Sequence, residues 1–399
     1  MSDIASATQG AAPAADDRFE DIRPYHDDEA RPVLDRVLAD QEFLSAIARF
    51  RFPSLPAWLM PCLKPLVRFA LSRETRDVRD VKSFQAVVAK YMRHMISSTT
   101  TAFTQSGLEQ LEPGRAYLFV SNHRDIAMDP AFVNWALWAN SMNTVRIAIG
   151  DNLLTKPFAS DLMRLNKSFL VRRGETAPKK IYAALKKLSA YIHFSITTEK
   201  ENVWIAQREG RAKDGLDRTE EAIIKMFAMS KAREQSFADF VRELNIVPVA
   251  ISYEWDPCDV AKARELYHKA THGNYQKDTH EDVQSIAAGI AGNKGRVHVS
   301  FGKVLQADFD SAEAVATEID RQVLNNYVLF PSNFFAAQAL GETVQGVYGA
   351  DRRPFQVAAL AQEKQLFDER LAACPEAYRP WWLAMYANPV RSYRELQQP

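Results

Sequence analysis

Residues 116–130 read AYLFVSNHRDIAMDP, and the fold turns on how this stretch is parsed. Ala116 to Ser121 is short, β-prone and nearly all apolar, as a strand buried on both faces must be. Pro130 to Ala139 predicts a helix, with proline suited to its first turn. Between them lies a polar turn that holds Asn122, His123, Arg124 and Asp125.

The same alternation repeats downstream. VRIAIG (145–150), SFLVRR (168–173), NVWIAQ (202–207), NIVPVAIS (245–252) and RVHVSFG (296–302) are further candidate strands. Helical stretches separate them, such as 178–193 and 219–231. Together these predict an α/β fold, a mostly parallel central sheet flanked by helices. Pro248 inside its run suggests an edge strand or a bulge, because proline cannot donate to a ladder. Residues from about 29 to 104 read as helical, and so do 354–398, with the Trp381-Trp382 pair. The expected division is a disordered tail (1–28), a helical region with possible membrane contact (29–110), an α/β domain (111–330) and a helical C-terminal extension (331–399).

Composition sets outer limits. The 399 residues are 47% hydrophobic and 25% charged, as in soluble globular proteins. Basic and acidic residues balance, so nucleic-acid binding is not expected and an anion site needs a local cluster. Cys62, Cys258 and Cys374 are odd in number and far apart, which argues against a disulfide framework or thiolate zinc site and for a reducing cytosol. The first residues lack the basic start and apolar run of a secretory signal. No stretch reaches the ~18 uninterrupted apolar residues of a transmembrane helix.

Open α/β sheets place their chemistry at the carboxyl ends of strands. After the first run comes His123, a candidate general base, with Asp125 and Asp129 as candidate carboxylates to orient its ring. Taken alone, the segment also reads as a turn whose Asn and Asp cap a helix. Arg172 and Arg173 end a later run, and paired guanidinium groups suit phosphate. Glu209, Gly210, Arg211 and Lys213 follow the next. There a glycine lets a ligand approach the backbone, two cations add charge, and Glu209 is placed to hold a hydroxyl or a cation. His268, His272 and His280 lack a metal-ligand pattern and read as a solvated helix face.

Asn122-His123-Arg124, Phe169-Leu-Val-Arg-Arg173, Glu209-Gly210-Arg211 and Ile246-Val-Pro-Val249 occur in that order. In this the chain resembles the glycerol-phosphate acyltransferase superfamily, which includes glycerol-3-phosphate and lysophosphatidic acid acyltransferases. Ser252-Tyr253-Glu254 and Ser300-Phe-Gly-Lys303 are similar to later segments of that family, and the resemblance runs from about Ala116 to Val304. There are two departures. The residue five after the histidine is Met128, so the acid must be Asp129 or Asp125, of which Asp129 is preferred. The third block lacks the usual residue between Gly and Arg, which leaves Arg211 and Lys213 both open as its cation.

The resemblance implies direct transfer of a fatty acyl group from acyl-CoA or acyl-carrier protein to a hydroxyl of glycerol-3-phosphate or 1-acyl-glycerol-3-phosphate. His123 would be the base, Arg172, Arg173, Arg211 and Lys213 would hold phosphate, and Arg124, Glu209 and Gly210 would bind substrate. No metal or bound cofactor is needed. No Gly-x-Ser-x-Gly elbow is present, so no acyl-enzyme is expected. Leu55, Trp58, Leu59, Cys62, Leu63, Leu66 and Phe69 recur at helical spacing, opposite Lys64, Arg68 and Arg73. That is the pattern of an interfacial helix or of a core helix, and the resemblance favours a cytoplasmic protein attached peripherally to the inner face of the membrane. Two rival readings differ in what they require. A kinase-like His-Arg-Asp loop has none of its companion motifs here. A non-catalytic lipid-binding or scaffolding protein of the same fold would need no base at His123.

Overall fold

The computed structural model describes residues 17–52, 54–154, 156–278, 280–344 and 360–397. Four N-terminal helices, α1 (Asp27–Ala39), α2 (Gln41–Arg51), α3 (Met60–Glu74) and α4 (Val81–Thr99), lead into β1 (Thr100–Ser106) and β2 (Leu118–Ser121). Then follow α5 (Met128–Ala139), β3 (Val145–Gly150), α6 (Pro157–Leu165), β4 (Ser168–Val171), α7 (Pro178–Thr197), β5 (Asn202–Ala206), α8 (Glu221–Phe227), α9 (Phe237–Glu243) and β6 (Ile246–Tyr253). The chain continues through α10 (Asp259–His272), α11 (Glu281–Ala291), β7 (Gly295–Phe301), α12 (Ala312–Asn326), α13 (Pro331–Ala339), α14 (Ala361–Ala373) and α15 (Arg379–Gln397).

The seven strands form one sheet in the order β1-β7-β6-β2-β5-β3-β4. Every neighbouring pair is parallel except β6 with β7. The expected mostly parallel α/β sheet is therefore present. Its central strands are apolar because both faces are covered: all four residues of β2 and all eight of β6 are buried. One face packs Leu118, Val120 and Ile246 against Tyr191, Phe240 and Ile319. The other packs Phe119, Val247 and Val299 against Phe132 and Val133 of α5.

Three expectations fail. Thr100 to Thr104, read as the end of a helical region, belongs to β1, which pairs with β7. Its burial alternates because it is an edge strand, so it shows no apolar run. Pro248 lies in a central strand, not at an edge. Its carbonyl accepts from Gly302 N, one step past the β6–β7 ladder that starts at Val249↔Phe301. The missing donor of Pro248 faces the same way, so the one bond forgone is the return bond to Gly302 O at the end of the ladder, and no bulge is needed. The disordered tail expected over 1–28 does not hold for residues 17–28. Residues 1–16 lie outside the described part, but Phe19 and Ile22 are in the core, and Ile22 O accepts from Leu170 N beside β4.

Two side clusters complete the molecule. The N-terminal helices and α6 share a core of Val33, Leu34, Leu44, Val67, Phe84 and Leu165. The C-terminal helices pack with Trp255 around Phe367, Trp382 and Tyr386. Phe132 links core to rim, with ring contacts to Phe103 (5.4 Å) and Tyr253 (5.8 Å). Its truncation in Phe132→Ala is expected to cost ~3–5 kcal/mol of stability, read by chemical denaturation.

Candidate active site

β2 ends in Asn122, whose side chain does the work of a strand. Asn122 Nδ2 donates to Ile251 O (3.0 Å) and Ile251 N donates to Asn122 Oδ1 (2.8 Å), which staples the turn to β6. His123 follows. Its Nδ1 lies 2.7 Å from Asp129 Oδ2, and its side chain is 15% exposed, so one edge of the ring reaches solvent. Asp129 is fully buried. Oδ2 also accepts from the backbone N–H of Arg124 (2.6 Å) and Asp125 (2.9 Å), and Oδ1 accepts from the Tyr253 hydroxyl (2.6 Å). Burial pushes the Asp129 carboxyl up, but the bonds from His123, Tyr253 and the backbone outweigh it and hold it below the ordinary carboxylate value. A carboxylate can only accept, so in the neutral imidazole Nδ1–H donates to Asp129 and Nε2 is the ring's acceptor.

Asp125 does a different job. Its Oδ1 accepts from Ala127 N (3.0 Å) and Met128 N (2.9 Å), capping the start of α5. Burial and the nearby Asp129 charge raise its pKa.

The four sequence blocks interlock. The third meets the first where Ala212 N donates to His123 O (2.8 Å). It meets the second where Arg173 lies 3.7 Å from Glu209, while Arg173 N donates to Asp151 Oδ1 at 3.1 Å. The fourth meets the first through Asn122 and Tyr253.

The cations divide into two sets. Arg124 is buried and donates to Asp217 Oδ2 (2.6 Å) and Gly215 O (3.2 Å), so its charge is matched inside the protein. Lys213 pairs with Glu265 of α10. Arg172 is exposed and tied to Asp21 (2.8 Å), in the N-terminal segment. Among the described residues the Arg173 guanidinium has only the long contact with Glu209. Arg211 donates weakly to Ser285 (3.5 Å), and its Nη1 is buried with no partner among the described residues. Six of the twelve buried side-chain polar atoms without a partner belong to Arg124, Gln207, Arg208, Arg211 and Asp217. Such atoms are rare in native proteins and mark places where a ligand or water is expected.

Two elements enclose this rim from outside the strand ends. The α10–α11 segment lies over it: Lys262 Nζ donates to Arg124 O (2.6 Å), and a Cβ on Gly289 would sit 2.2 Å from Asp125 Oδ2. α15 supports it from the C-terminal extension, where Asn388 Nδ2 donates to Asp214 O (2.6 Å). Sequence reasoning missed Tyr253, Asp217 and Asn122 as partners of the site. Tyr253 had one signal, its place four residues after the Ile246–Val249 block, in the Ser252-Tyr253-Glu254 segment. His268 and His272 lie on the outer part of α10, ring nitrogens 3.4 Å apart, among Tyr267, Tyr275 and Tyr378.

Residues 102–252 match the family model described as Acyltransferase. No curated protein matches the chain. Among solved structures, one of the 1-acyl-sn-glycerophosphate (LPA) acyltransferase PlsC from Thermotoga maritima is 14% identical, with 71% of this chain and 95% of that chain covered and a TM-score of 0.37.

The Asp214–Asp217 loop depends on Gly215, which has φ +79° and whose added Cβ would lie 2.1 Å from Met385 O of α15. A left-handed conformation costs a non-glycine residue ~1–2 kcal/mol before any clash. Gly215→Ala is expected to lose more than that in chemical denaturation, because backbone on both sides must move.

Proposed function

We propose that this chain, whose residues 102–252 match the acyltransferase family model, moves a fatty acyl group from acyl-CoA or acyl-carrier protein to a hydroxyl of glycerol-3-phosphate or 1-acyl-glycerol-3-phosphate, with His123 as general base. The observation that carries the proposal is the His123–Asp129 pair, a buried carboxylate on a ring that remains partly exposed.

In this reading His123 Nε2 takes the proton of the acceptor hydroxyl as its oxygen attacks the thioester carbonyl. The tetrahedral intermediate collapses, the C–S bond breaks, and the proton passes from the imidazolium to the leaving thiolate. The products are an oxygen ester and a free thiol. Asp129 keeps Nδ1 protonated and stabilises the imidazolium, and Tyr253 fixes Asp129. Arg173 and Arg211 are the cations with charge to spare, so they take the acceptor phosphate. Arg172 assists from its exposed position. Arg124 and Lys213 act as positioning residues, since their charges are matched within the protein. Glu209 and Gly210 shape the entrance beside Arg173.

The test is a single-turnover and steady-state assay of purified protein with labelled acyl-CoA and each acceptor in turn. His123→Ala is expected to lower kcat by ~10²–10⁴-fold, and Asp129→Asn by a loss of the same order. Asp125→Asn keeps its capping oxygen and stays near the parent rate. Parental activity in His123→Ala would favour a non-catalytic lipid-binding or scaffolding role.

We also propose that the α2–α3 hairpin meets the membrane. Phe50 (65% exposed), Trp58 (75%), Leu66 (58%) and Phe69 (65%) stand out from it beside Arg49, Arg51, Lys64, Arg68 and Arg73. Its other face, with Leu63, Val67 and Leu71, packs into the N-terminal core. Both sequence-level readings of this helix therefore describe one side of it each. No helix among the described residues is long and apolar enough to cross a membrane. Apolar side chains flanked by cations suit an anionic lipid surface. Trp58→Glu with Phe69→Glu is expected to abolish sedimentation with anionic vesicles at unchanged thermal stability; retained sedimentation would place the contact elsewhere.

A further inference from the structure

Helix α7 carries charge of the wrong sign for its own stability. Its 20 residues include no Asp or Glu, and Lys179, Lys180, Lys186 and Lys187 crowd its N-terminal half. The N-terminal end of a helix bears positive partial charge and favours acidic side chains. A sequence that breaks a local rule without structural gain points to function.

The arrangement of these lysines is ordered. Lys179, Tyr182, Ala183 and Lys186 fall at i, i+3, i+4 and i+7, which forms one stripe along the helix. All four are exposed, Tyr182 by 60%, with Ile181 (39%) beside them. The opposite face, Leu188, Tyr191 and Ile192, is core. Lys180 lies 3.9 Å from Glu175, and Lys187 pairs with Asp21 at 2.5 Å. Lys179 and Lys186 make no ion pair among the described residues. The helix follows β4, so its lysine-rich end starts at the carboxyl rim of the sheet, just past Arg172 and Arg173.

We propose that this face of α7 docks the acyl donor in protein-borne form: a small acidic carrier protein that presents its thioester on a phosphopantetheine arm. This rests on the acyl-transfer reading above. The stripe fits a protein better than a nucleotide. Lys179 to Lys187 spans ~12 Å of helix axis, and side chains along a helix diverge, whereas a diphosphate needs donors that converge. An apolar centre of Ile181 and Tyr182 inside a charged rim is the layout of a protein interface. It also differs from the α2–α3 hairpin, whose large exposed apolar side chains outnumber these two. Complementary charge of this kind speeds encounter and weakens with salt.

The experiment uses the full chain and two readings. One is the initial rate with the same acyl chain on carrier protein and on CoA; the other is anisotropy of labelled holo-carrier protein titrated with enzyme. Lys179→Glu with Lys186→Glu is expected to raise KM for the carrier-borne donor and weaken holo-carrier binding by about 10-fold or more, with kcat kept and KM for acyl-CoA within about 2-fold. Raised salt should imitate the substitution in the parent only. Unchanged carrier KM and binding would overturn the proposal. So would an equal loss with both donors, which would assign the stripe to CoA, or a loss of vesicle binding in place of carrier binding. Failure of the parent to transfer from either donor would instead sink the acyl-transfer reading, while the titration still judges the docking face.

Discussion

One buried carboxylate organises the rim. Asp129 has no exposure, and a charge so placed persists only when its oxygens are fully engaged. It meets that condition with four donors from two parts of the chain: the ring of His123 and two backbone N–H groups of the same turn, and Tyr253 from the end of β6. Each of these bonds fixes its donor in turn. The strand-end turn wraps around the carboxylate, the imidazole is held in one tautomer, and β6 is tied to the start of α5. Fold and site are therefore one construction here, since the group that holds the His123 ring also ties the end of β6 to the turn after β2.

A second buried charge pair braces the first. Arg124 and Asp217 lie 2.6 Å apart with side chains 7% and 2% exposed, and Asn122 reaches the same Asp217 oxygen at 3.2 Å. Burial raises the pKa of Asp217, with Arg124 opposing. Such a pair adds little net stability, because desolvation offsets attraction, but losing one partner is costly. Its value is geometric. It fixes the loop between β5 and α8 against the turn that carries His123, and α15 backs that loop through Asn388 and Met385. The C-terminal extension is thus part of what holds the rim, although it lies outside the segment matched by the family model.

How far the site could be read from sequence depends on which forces set each feature. The buried strands were legible because burial on both faces leaves an apolar run. β1 was not, because an edge strand alternates and Thr100 to Thr104 carries no such run. Pro248 misled, since the rule against proline in central strands concerns a ladder bond and here that bond falls past the end of the ladder. The choice between Asp125 and Asp129 is not contained in spacing. The path of the turn puts Asp129 on the imidazole, and Asp125, two residues after His123, turns instead to the N–H groups of α5. The role of Tyr253 was invisible because it depends on a tertiary contact across 124 residues of chain.

The cations show the same limit most clearly. In sequence, Arg172, Arg173, Arg211 and Lys213 are equal candidates for phosphate and Arg124 is a candidate for substrate, since each is a positive charge after a strand end. What separates them is whether the protein already neutralises the charge. Asp217 has taken that of Arg124 and Glu265 that of Lys213, both out of reach of most solvent. Arg173 faces a carboxylate only at 3.7 Å, and Arg211 keeps a buried nitrogen without a partner. An arriving phosphate gains most from the cation that has lost least to its neighbours, because a matched pair must be broken before it can bind anything else. By that measure Arg211 and Arg173 are the cations of this rim with most charge left for an anion. The third block then does without its missing residue: Arg211 stands next to Gly210 and is placed by Ala212, whose N–H holds the carbonyl of His123 itself.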